Sequence, residues 1–337
     1  MLLSICIPTY NRFKLLDNCL NSILISSRLV QNFEFEVCVS DNCSDKNVKE
    51  IINKYKDFLN ISFNKNSSNL GFANNAKKVI SMAKGKYAWL LGDDDLLIPE
   101  TLSTLKNLFL LNPKINYFFI NSYFLNSKEL NNFNHPLDTN QLNLKNLRSI
   151  SKIKKDLNNV IFWEVIRPKV SWDFLIGMYL SIFRKEEWLK HQDILNKDDI
   201  SDLRPWSNFD NTCTHAKVLS TAFKNSKVYI SAKPLSINLV GEREWVSLYE
   251  FIEIVRIPEL LEYYRSQGMP FLQYLYCKNF SLRNFFNYFI KIIIGGNKSG
   301  LKYVNFKKHF LLNLLYPYVY LSIIFYLIRK LKNIIKI

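Results

Sequence analysis

The amino-acid sequence predicts an α/β fold in which a mostly parallel sheet is flanked by helices and followed by a helical, basic C-terminal extension. Two observations support this prediction. Over the first 125 residues, apolar runs typical of buried strands alternate with segments of helical periodicity. Three of the predicted strands also end in polar clusters, which is typical of the edge where open α/β sheets bind ligands.

The predicted elements alternate regularly along the first part of the chain. Residues 2–9 form a continuous apolar run, as expected for a strand that is buried on both faces. Further strands are predicted at residues 33–40, 61–64, 86–91 and 115–125. Helices are predicted at residues 13–24, 46–58 and 72–83, and a fourth after Pro99, whose fixed φ suits the first turn of a helix.

The second part of the chain is less regular. Residues 126–170 lose the alternation and predict a variable insertion, after which strands are predicted at 178–183 and 228–232 and helices at 186–195 and 210–223. From residue 249 onward the periodicity is helical. We therefore expect one domain over residues 1–240, with halves at 1–125 and 171–240, and a helical region over 241–337.

Composition excludes several classes of protein. A hydrophobic share of 48% excludes a disordered chain. The six cysteines form no CxxC pair and no regular spacing, which argues against a disulfide framework or a zinc site and favours reduced thiols in a cytosolic setting. The N-terminal apolar run has no basic residues before it and breaks at Pro8, so it predicts a strand and not a signal peptide.

The three polar clusters are Thr9-Tyr10-Asn11, residues 41–45 and Asp93-Asp94-Asp95. Because the carboxyl ends of parallel strands meet at one edge of a sheet, we expect one acidic rim there. Three adjacent carboxylates repel one another unless a cation binds, and Mg²⁺ or Mn²⁺ often uses one or two carboxylates together with substrate phosphates. The alternative for each cluster is a polar turn that caps the following helix.

Together these segments resemble the family 2 glycosyltransferases. The resemblance rests on Pro8-Thr9-Tyr10-Asn11-Arg12, Asp41-Asn42-Cys43-Ser44-Asp45, Asn69-x-Gly71 and Asp93-Asp94-Asp95-x-x-x-Pro99, in that order and spacing. The Gly-Asp-Asp-Asp form is similar to the branch that includes abequosyltransferase-like enzymes. The resemblance implies a Rossmann-like GT-A fold, with a nucleotide-sugar-binding half at residues 1–125 and an acceptor half at 171–240.

The resemblance also implies roles for single residues. Thr9 and Tyr10 resemble the residues that close over the nucleotide base, and Asp41 resembles the carboxylate that hydrogen-bonds the base. The aspartates at positions 93 and 94 resemble those that contact the ribose and the metal. The spacing to Pro99 favours Asp94 as metal ligand, whereas the literal Asp-x-Asp is formed with Asp95, and the two registers stay open. The nucleotide-sugar set implied by the motifs is Pro8, Thr9, Tyr10, Asn11, Asp41, Asn69, Gly71 and Asp93.

A general base must deprotonate the acceptor hydroxyl in a transfer of this kind. In the family it lies on the helix after the second-half strand, usually as an aspartate. This register places His215 at that position, and histidine is a competent base near neutral pH. Asp210 is the competing candidate, and a structural histidine on a helix is the simpler alternative for His215. Trp172, Asp173 and residues 242–245 are weaker candidates for an acceptor pocket.

The net charge of +16 belongs mainly to the C-terminal quarter. After Glu262 the chain has twelve Lys and Arg and no Asp or Glu, which leaves +4 for the first 262 residues. Residues 310–328 are uncharged but contain Asn313, Pro317 and four Tyr, and a span would place the following basic residues on the side disfavoured by the positive-inside preference. We therefore expect a helix lying on an anionic membrane surface, with a buried helix or a homodimer interface as alternatives.

The resemblance and the charge distribution together predict a glycosyltransferase at the inner face of the plasma membrane. It would use Mg²⁺ or Mn²⁺, take a nucleotide-sugar donor and act on a saccharide or lipid-linked saccharide of bacterial surface polysaccharide or lipooligosaccharide synthesis. Direct transfer would invert the anomeric configuration. The rival hypotheses are a nucleotidyltransferase, although no Gly-rich basic loop follows the first strand, and a non-catalytic membrane scaffold. Binding to nucleic acid is not expected, because no motif for it is present.

Overall fold

Within the residues that the computed structural model describes (1–171, 173–204, 206–241 and 246–335), ten strands form one sheet. The strands are β1 Leu3–Thr9, β2 Phe35–Asp41, β3 Ile61–Lys65, β4 Tyr87–Leu90, β5 Asp95–Leu97, β6 Tyr117–Asn126, β7 Arg148–Ser149, β8 Leu157–Ile161, β9 Ser181–Arg184 and β10 Lys227–Val240. The main path through the sheet runs β3-β2-β1-β4-β9-β6-β10-β5, while β7 pairs with β6 and β8 with β10.

Six of these strands run in the same direction. β1 pairs in parallel with β2 and β4, β2 with β3, and β6 with β10. β9 is antiparallel to both β4 and β6, so those two strands share one direction. The prediction of a mostly parallel α/β sheet flanked by helices is therefore confirmed.

Helices lie in the connections between the strands and also follow the last strand, β10. They are α1 Phe13–Ser27, α2 Lys49–Tyr55, α3 Gly71–Met82, α4 Thr101–Leu111, α5 Lys185–His191, α6 Lys197–Ser201, α7 Phe209–Thr212, α8 Thr214–Phe223, α9 Tyr249–Phe251, α10 Ile257–Ser266, α11 Phe271–Ser281, α12 Phe285–Gly295, α13 Phe306–His309 and α14 Pro317–Ile335. All seven residues of β1 are buried, so both faces of the sheet are covered there. α1 contacts α2 and α4, whereas α3 contacts α6 and α7.

The structure corrects the sequence prediction at the start of the fourth helix. Pro99 does not open α4, because the helix begins at Thr101 with Glu100 as its N-cap. The residues before Pro99 form a short strand that was not predicted, β5, which pairs antiparallel with β10. Asp95–Leu97, which the sequence analysis placed in the polar turn and just before the helix, therefore pair with β10 instead.

The second half departs further from the predicted elements. The strand predicted at 178–183 is a 3₁₀ turn, Met178–Leu180, followed by the shorter β9. The helix predicted at 210–223 is divided at Cys213 into α7 and α8, and the strand predicted at 228–232 continues to Val240 as β10. The segment predicted as an insertion contributes β7 and β8 to the sheet.

The C-terminal region is built onto the core of the sheet domain. One continuous hydrophobic cluster extends from Leu3 in β1 to Val319 in α14 and includes Tyr264 and Phe285. Within the described part of the chain, no single helix meets the length and hydropathy expected of a membrane span. One bent pair, Phe306–Leu315 with Pro317–Ile328, meets them jointly, with an angle of 92° between its arms.

A buried ion-pair network attaches this region to α10. Glu259 accepts a hydrogen bond from Arg256 at 2.6 Å, and Lys308 and His309 of the C-terminal region lie 2.9 and 3.1 Å from its other oxygen. Burial opposes ionisation of Glu259, but the hydrogen bond from His309 and the charges of Arg256 and Lys308 outweigh it and lower its pKa to about 2. The carboxylate therefore stabilises α13 in its place.

We expect Glu259→Gln to lower the free energy of unfolding by roughly 3 kcal/mol near neutral pH, because it leaves the buried Arg256 guanidinium without its carboxylate partner. The pKa of Glu259 is about 2 in the fold against an ordinary value of 4.5, so its stabilising contribution is complete above pH 4.5. That contribution is lost as the pH falls from 4.5 towards 2, and the two proteins should converge there. Urea unfolding across this pH range measures the difference. Glu187→Gln, which breaks the exposed pair with Lys190, should have almost no effect.

Candidate functional site

The carboxyl ends of β1, β2 and β4 meet at one edge of the sheet. Thr9 lies opposite Asp41 in the β1–β2 register, and Pro8 lies opposite Ser40. The N–H of Leu91, just after β4, donates to the carbonyl of Cys6 in β1. The chain that leaves β4 therefore passes directly beside Thr9, as the predicted acidic rim requires.

A tight turn after β1 joins two of the predicted clusters. Asn11 adopts a left-handed backbone conformation with φ 55°. Its side chain accepts a hydrogen bond from the Asp45 N–H at 2.9 Å and donates to the Asp45 carboxylate at 3.0 Å, while its own N–H donates to Ser44 Oγ at 2.8 Å. Asn11 therefore binds the loop after β2 and directs the chain into α1. Tyr10 beside it remains 41% exposed at the rim.

Only one of the two carboxylate oxygens of Asp41 accepts a hydrogen bond from the described residues. Oδ1 accepts the Ser44 N–H at 3.0 Å, whereas Oδ2 is buried and has no hydrogen-bond partner among the described residues. A buried acceptor without a partner is costly, since it has lost its hydration. The hydrogen-bonding capacity of this oxygen is therefore unused among the described residues.

An amide network holds the loop before α3 against the end of β2. Asn42 donates to Asn69 Oδ1 at 2.7 Å and accepts the N–H of Leu70 at 2.8 Å. Asn69 Oδ1 also accepts the N–H of Gly71, at 2.9 Å. Gly71 has φ +77°, which residues with a Cβ rarely adopt. The Asn69-x-Gly71 motif thus brings α3 to the same rim as Asp41.

Arg12 lies between the first two aspartates of the acidic turn. Its Nη1 is 3.2 Å from Asp93 Oδ1 and 3.1 Å from Asp94 Oδ2. Thr9 donates to the other oxygen of Asp93 at 2.7 Å. Burial raises the pKa of Asp93 to about 6, with Arg12 acting to lower it and Asp94 to raise it further. The sequence analysis assigned Arg12 no role, although it is contiguous with the Thr9-Tyr10-Asn11 motif.

Asp95 is placed differently from its two neighbours. Its Oδ2 accepts the Gly92 N–H at 2.9 Å and its Oδ1 accepts from Asn238 of β10 at 2.7 Å. Both oxygens are thus engaged inside the fold, and the residue is 1% exposed. Asp94 is the more accessible carboxylate. The described residues contain no preformed group of three His, Cys, Asp or Glu side chains for a metal, so a divalent ion would also need oxygens from a ligand.

The two candidate bases lie on consecutive helices, Asp210 on α7 and His215 on α8. Asp210 is held by Lys217, whose Nζ lies 2.7 and 2.8 Å from its oxygens, and it accepts the Asn196 N–H. His215 is buried and its Nε2 lies 2.9 Å from the Leu175 carbonyl. Because a carbonyl only accepts, the proton sits on Nε2, and Nδ1 is a lone-pair acceptor without a partner among the described residues. Burial lowers the pKa of His215 to about 4 despite the Leu175 contact.

The weaker acceptor candidates are only partly described. Trp172 and residues 242–245 lie outside the described residues. Asp173 is hydrogen-bonded within its own loop, accepting from the Ser171 hydroxyl and from the N–H groups of Leu175 and Gly177. Two residues of this loop have positive φ, Phe174 at 52° and Leu175 at 71°. Asp173 therefore shapes the loop that leads into β9.

Asp95→Ala should destabilise the fold, whereas Asp94→Ala should leave it intact. The first substitution leaves the buried donors of Gly92 and Asn238 without an acceptor. Each unpaired donor should lower the free energy of unfolding by about 1–3 kcal/mol. The second removes a partly exposed carboxylate and one repulsive neighbour of Asp93, and should change the free energy of unfolding by less than about 1 kcal/mol. Urea unfolding of the two variants is the measurement. Equal destabilisation of both would contradict the division of roles.

Comparison with known proteins bears on this rim. The sequence profile described as Glycosyl transferase family 2 matches residues 4–168. Abequosyltransferase RfbV of Salmonella typhimurium is 40% identical over 108 residues, covering 32% of this chain and 32% of that protein. The poly(ribitol-phosphate) β-N-acetylglucosaminyltransferase TarS of Staphylococcus aureus is 32% identical over 103 residues, covering 30% of this chain and 18% of TarS.

The similarity in structure is wider than the similarity in sequence. The crystal structure of S. aureus TarS 1–349 in complex with UDP has a TM-score of 0.56 at 17% identity, covering 85% of this chain and 72% of TarS 1–349. In sequence, the matched part spans about a third or less of the length of these curated relatives. Residues 4–168 therefore match the glycosyl transferase family 2 profile, and the sequence is similar to that of an abequosyltransferase.

Proposed function

We propose that the chain is a glycosyltransferase that moves a sugar from a nucleotide-diphosphate donor to a saccharide acceptor in bacterial surface polysaccharide or lipooligosaccharide synthesis. The observation that supports this best is Oδ2 of Asp41, a buried acceptor without a partner among the described residues, on the same rim as Asp93 and Asp94. The family 2 domain and the similarity to an abequosyltransferase point to the same class of reaction.

In this proposal the donor lies along the rim with its base over Asp41. The base donates an N–H to Asp41 Oδ2, and the exposed ring of Tyr10 closes over it beside Thr9. Asp93, oriented by Thr9, accepts from the ribose hydroxyls. Pro8, Asn11, Asn69 and Gly71 act by positioning the three loops around the donor, with Asn11 and Asn69 accepting backbone N–H groups through their side chains.

Asp94 fits a divalent metal better than Asp95 does. It is the more exposed of the two, whereas both oxygens of Asp95 are engaged with Gly92 and Asn238. Mg²⁺ or Mn²⁺ accepts hard oxygen ligands and is often held by one or two carboxylates plus substrate phosphates. A metal bound there would supply positive charge to the diphosphate leaving group.

We assign the general base to His215 and not to Asp210. The Nδ1 of His215 carries a lone pair without a partner among the described residues, and burial keeps it unprotonated near neutral pH by lowering the pKa of the ring to about 4. Both oxygens of Asp210 are instead held by Lys217. The acceptor hydroxyl gives its proton to Nδ1 while its oxygen bonds the anomeric carbon. The bond from that carbon to the donor phosphate oxygen breaks, and the nucleoside diphosphate leaves. A single displacement of this kind inverts the anomeric configuration.

The acceptor side includes a membrane surface in this proposal. α14 packs through Val319 and Ser322, which are 1% and 2% exposed, and turns an apolar stripe outward. That stripe continues along the preceding turn Leu311–Leu315. The exposed apolar side chains are Leu311, Leu312, Leu315, Tyr320, Leu321, Ile324, Phe325, Leu327 and Ile328. Because this apolar stripe lies within the basic C-terminal quarter, it favours peripheral binding to an anionic inner leaflet. At that surface the protein would reach a lipid-linked saccharide.

The donor reaction is tested with a panel of UDP-, CDP-, GDP- and dTDP-sugars. Wild-type protein should release free nucleoside diphosphate from one member, and EDTA or Asp94→Ala should reduce that release by about 10²-fold or more. Asp41→Asn replaces an acceptor oxygen at the base and should weaken binding of the same nucleotide by about tenfold, measured by calorimetry. Asp57→Asn, which removes an exposed carboxylate at the end of α2, is the matched control.

Each rival hypothesis gives a different result in that panel. A nucleotidyltransferase would release pyrophosphate from a nucleoside triphosphate and would not turn over a nucleotide sugar. A scaffold would bind no member of the panel. Full activity of Asp94→Ala would contradict the role of that carboxylate in holding a metal.

Membrane binding is tested with two pairs of substitutions. Ile324→Asp with Phe325→Asp should lower partitioning into phosphatidylglycerol vesicles by at least about tenfold, since each buried apolar side chain contributes about 1.5–3 kcal/mol. Leu110→Asp with Leu111→Asp, an even more exposed apolar pair at the end of α4, adds the same charge and should leave partitioning unchanged. Vesicle flotation measures both. Equal losses from the two pairs would show that charge alone, and not this face, governs binding.

A further inference from the structure

Arg12 lies between the carboxylates of Asp93 and Asp94 in the acidic turn. One guanidinium nitrogen lies within 3.2 Å of Asp93 and within 3.1 Å of Asp94. The arginine side chain is 26% exposed, and the two carboxylates are 5% and 16% exposed. The contact is therefore shielded from water on the carboxylate side, where ion pairs are screened least.

The turn before α1 holds Arg12 in this position. Asn11 is fixed in its left-handed conformation by hydrogen bonds to Ser44 and Asp45, and α1 begins at Phe13, directly after Arg12. The backbone that carries the guanidinium is thus tied to the loop after β2. Arg12 is positioned by the same residues that shape the donor rim.

A divalent cation held by Asp94 would compete with Arg12, whose Nη1 lies 3.1 Å from Asp94 Oδ2. The second oxygen of Asp93 is already hydrogen-bonded to Thr9, and both oxygens of Asp95 are engaged inside the fold. Asp94 Oδ2 is therefore an oxygen for which the guanidinium and a divalent cation would compete. Without Arg12, two adjacent carboxylates would repel each other and attract a cation more strongly.

We propose that Arg12 is a resident cation that weakens divalent metal binding at Asp94 until a diphosphate draws the guanidinium away. The inference rests on the proposed function, from which it takes the metal and the diphosphate donor. Guanidinium groups bind phosphate oxygens through paired hydrogen bonds, so the diphosphate is a suitable alternative partner for Arg12. Metal and donor then strengthen each other's binding, and Arg12 is the residue that couples them.

The test measures Mn²⁺ binding directly, by the electron paramagnetic resonance signal of free Mn²⁺, with no nucleotide and no turnover. Arg12→Gln should bind Mn²⁺ at least about fivefold more tightly than wild type, in the range typical of coupling between sites. Addition of UDP or CDP should strengthen Mn²⁺ binding to wild-type protein by about 5- to 150-fold, and to Arg12→Gln much less. This sign is opposite to that expected if Arg12 merely held the site together.

Lys14→Gln is the matched control, since it removes one positive charge from the same first turn of α1 at an exposed position. Its affinity for Mn²⁺ should be that of wild type. Circular dichroism checks the fold of each variant. Should Arg12→Gln fail to fold, Arg12→Lys carries the test, because a lysine keeps the charge but loses the paired geometry. A smaller gain of the same sign is then expected.

The outcomes separate this inference from the proposed function. If Arg12→Gln binds Mn²⁺ no more tightly than wild type and Lys14→Gln, the inference is wrong, whatever the protein catalyses. If wild-type protein and all variants bind no Mn²⁺, with or without UDP or CDP, the metal proposed at Asp94 is itself excluded. A gain in Arg12→Gln with an unchanged effect of nucleotide would overturn the coupling.

Discussion

The repulsion among three adjacent carboxylates at the end of β4 is the constraint on which the donor rim depends. The fold resolves it with three different partners. Asp93 is held by Thr9 at the end of β1, Asp94 shares the guanidinium of Arg12, and Asp95 is tied to Asn238 in β10. Since β10 belongs to the second half of the sheet domain, this one turn connects the strands of the first half to the second half. The acidic cluster thus links the two halves of the sheet domain, in addition to being a candidate ligand site.

Much of the first half could be predicted because its signals are local. Strand β1 is a continuous apolar run, and the polar residues at its end follow within three positions. The placement of Thr9, Asp41 and Asp93 on one rim follows from the geometry of parallel strands alone. The role of Asp95 could not be predicted, because its partner Asn238 lies 143 residues further along the chain. An Asp-x-Asp spacing carries no information about which carboxylate the fold will use internally.

The second half was harder to predict for a related reason. β9 is a four-residue strand inserted antiparallel between β4 and β6, and its identity depends on those neighbours more than on its own sequence. β10 extends well past its predicted end because it pairs on both sides, with β6 along its length and with β5 near its C-terminal end. Residues 126–170 show no clear period, yet they supply β7 and β8. Pairing between distant segments overrides local propensity at each of these places.

The sequence predicted that the C-terminal quarter carries most of the positive charge and follows a domain of nearly balanced charge. The contacts of this quarter change that description. Four of its basic side chains, Lys278, Arg283, Lys291 and Lys308, form ion pairs with carboxylates in residues 250–262. The excess of positive charge is thus partly matched across the boundary at Glu262, where the sequence shows acid on one side and base on the other. The same boundary crosses the continuous hydrophobic core, so cutting the chain there would expose apolar surface and unpaired carboxylates together. The membrane-facing property proposed for this region is therefore better assigned to the outward stripe of α14 than to the quarter as a whole. It follows that substitutions on that stripe can separate membrane binding from folding, whereas removal of the quarter cannot.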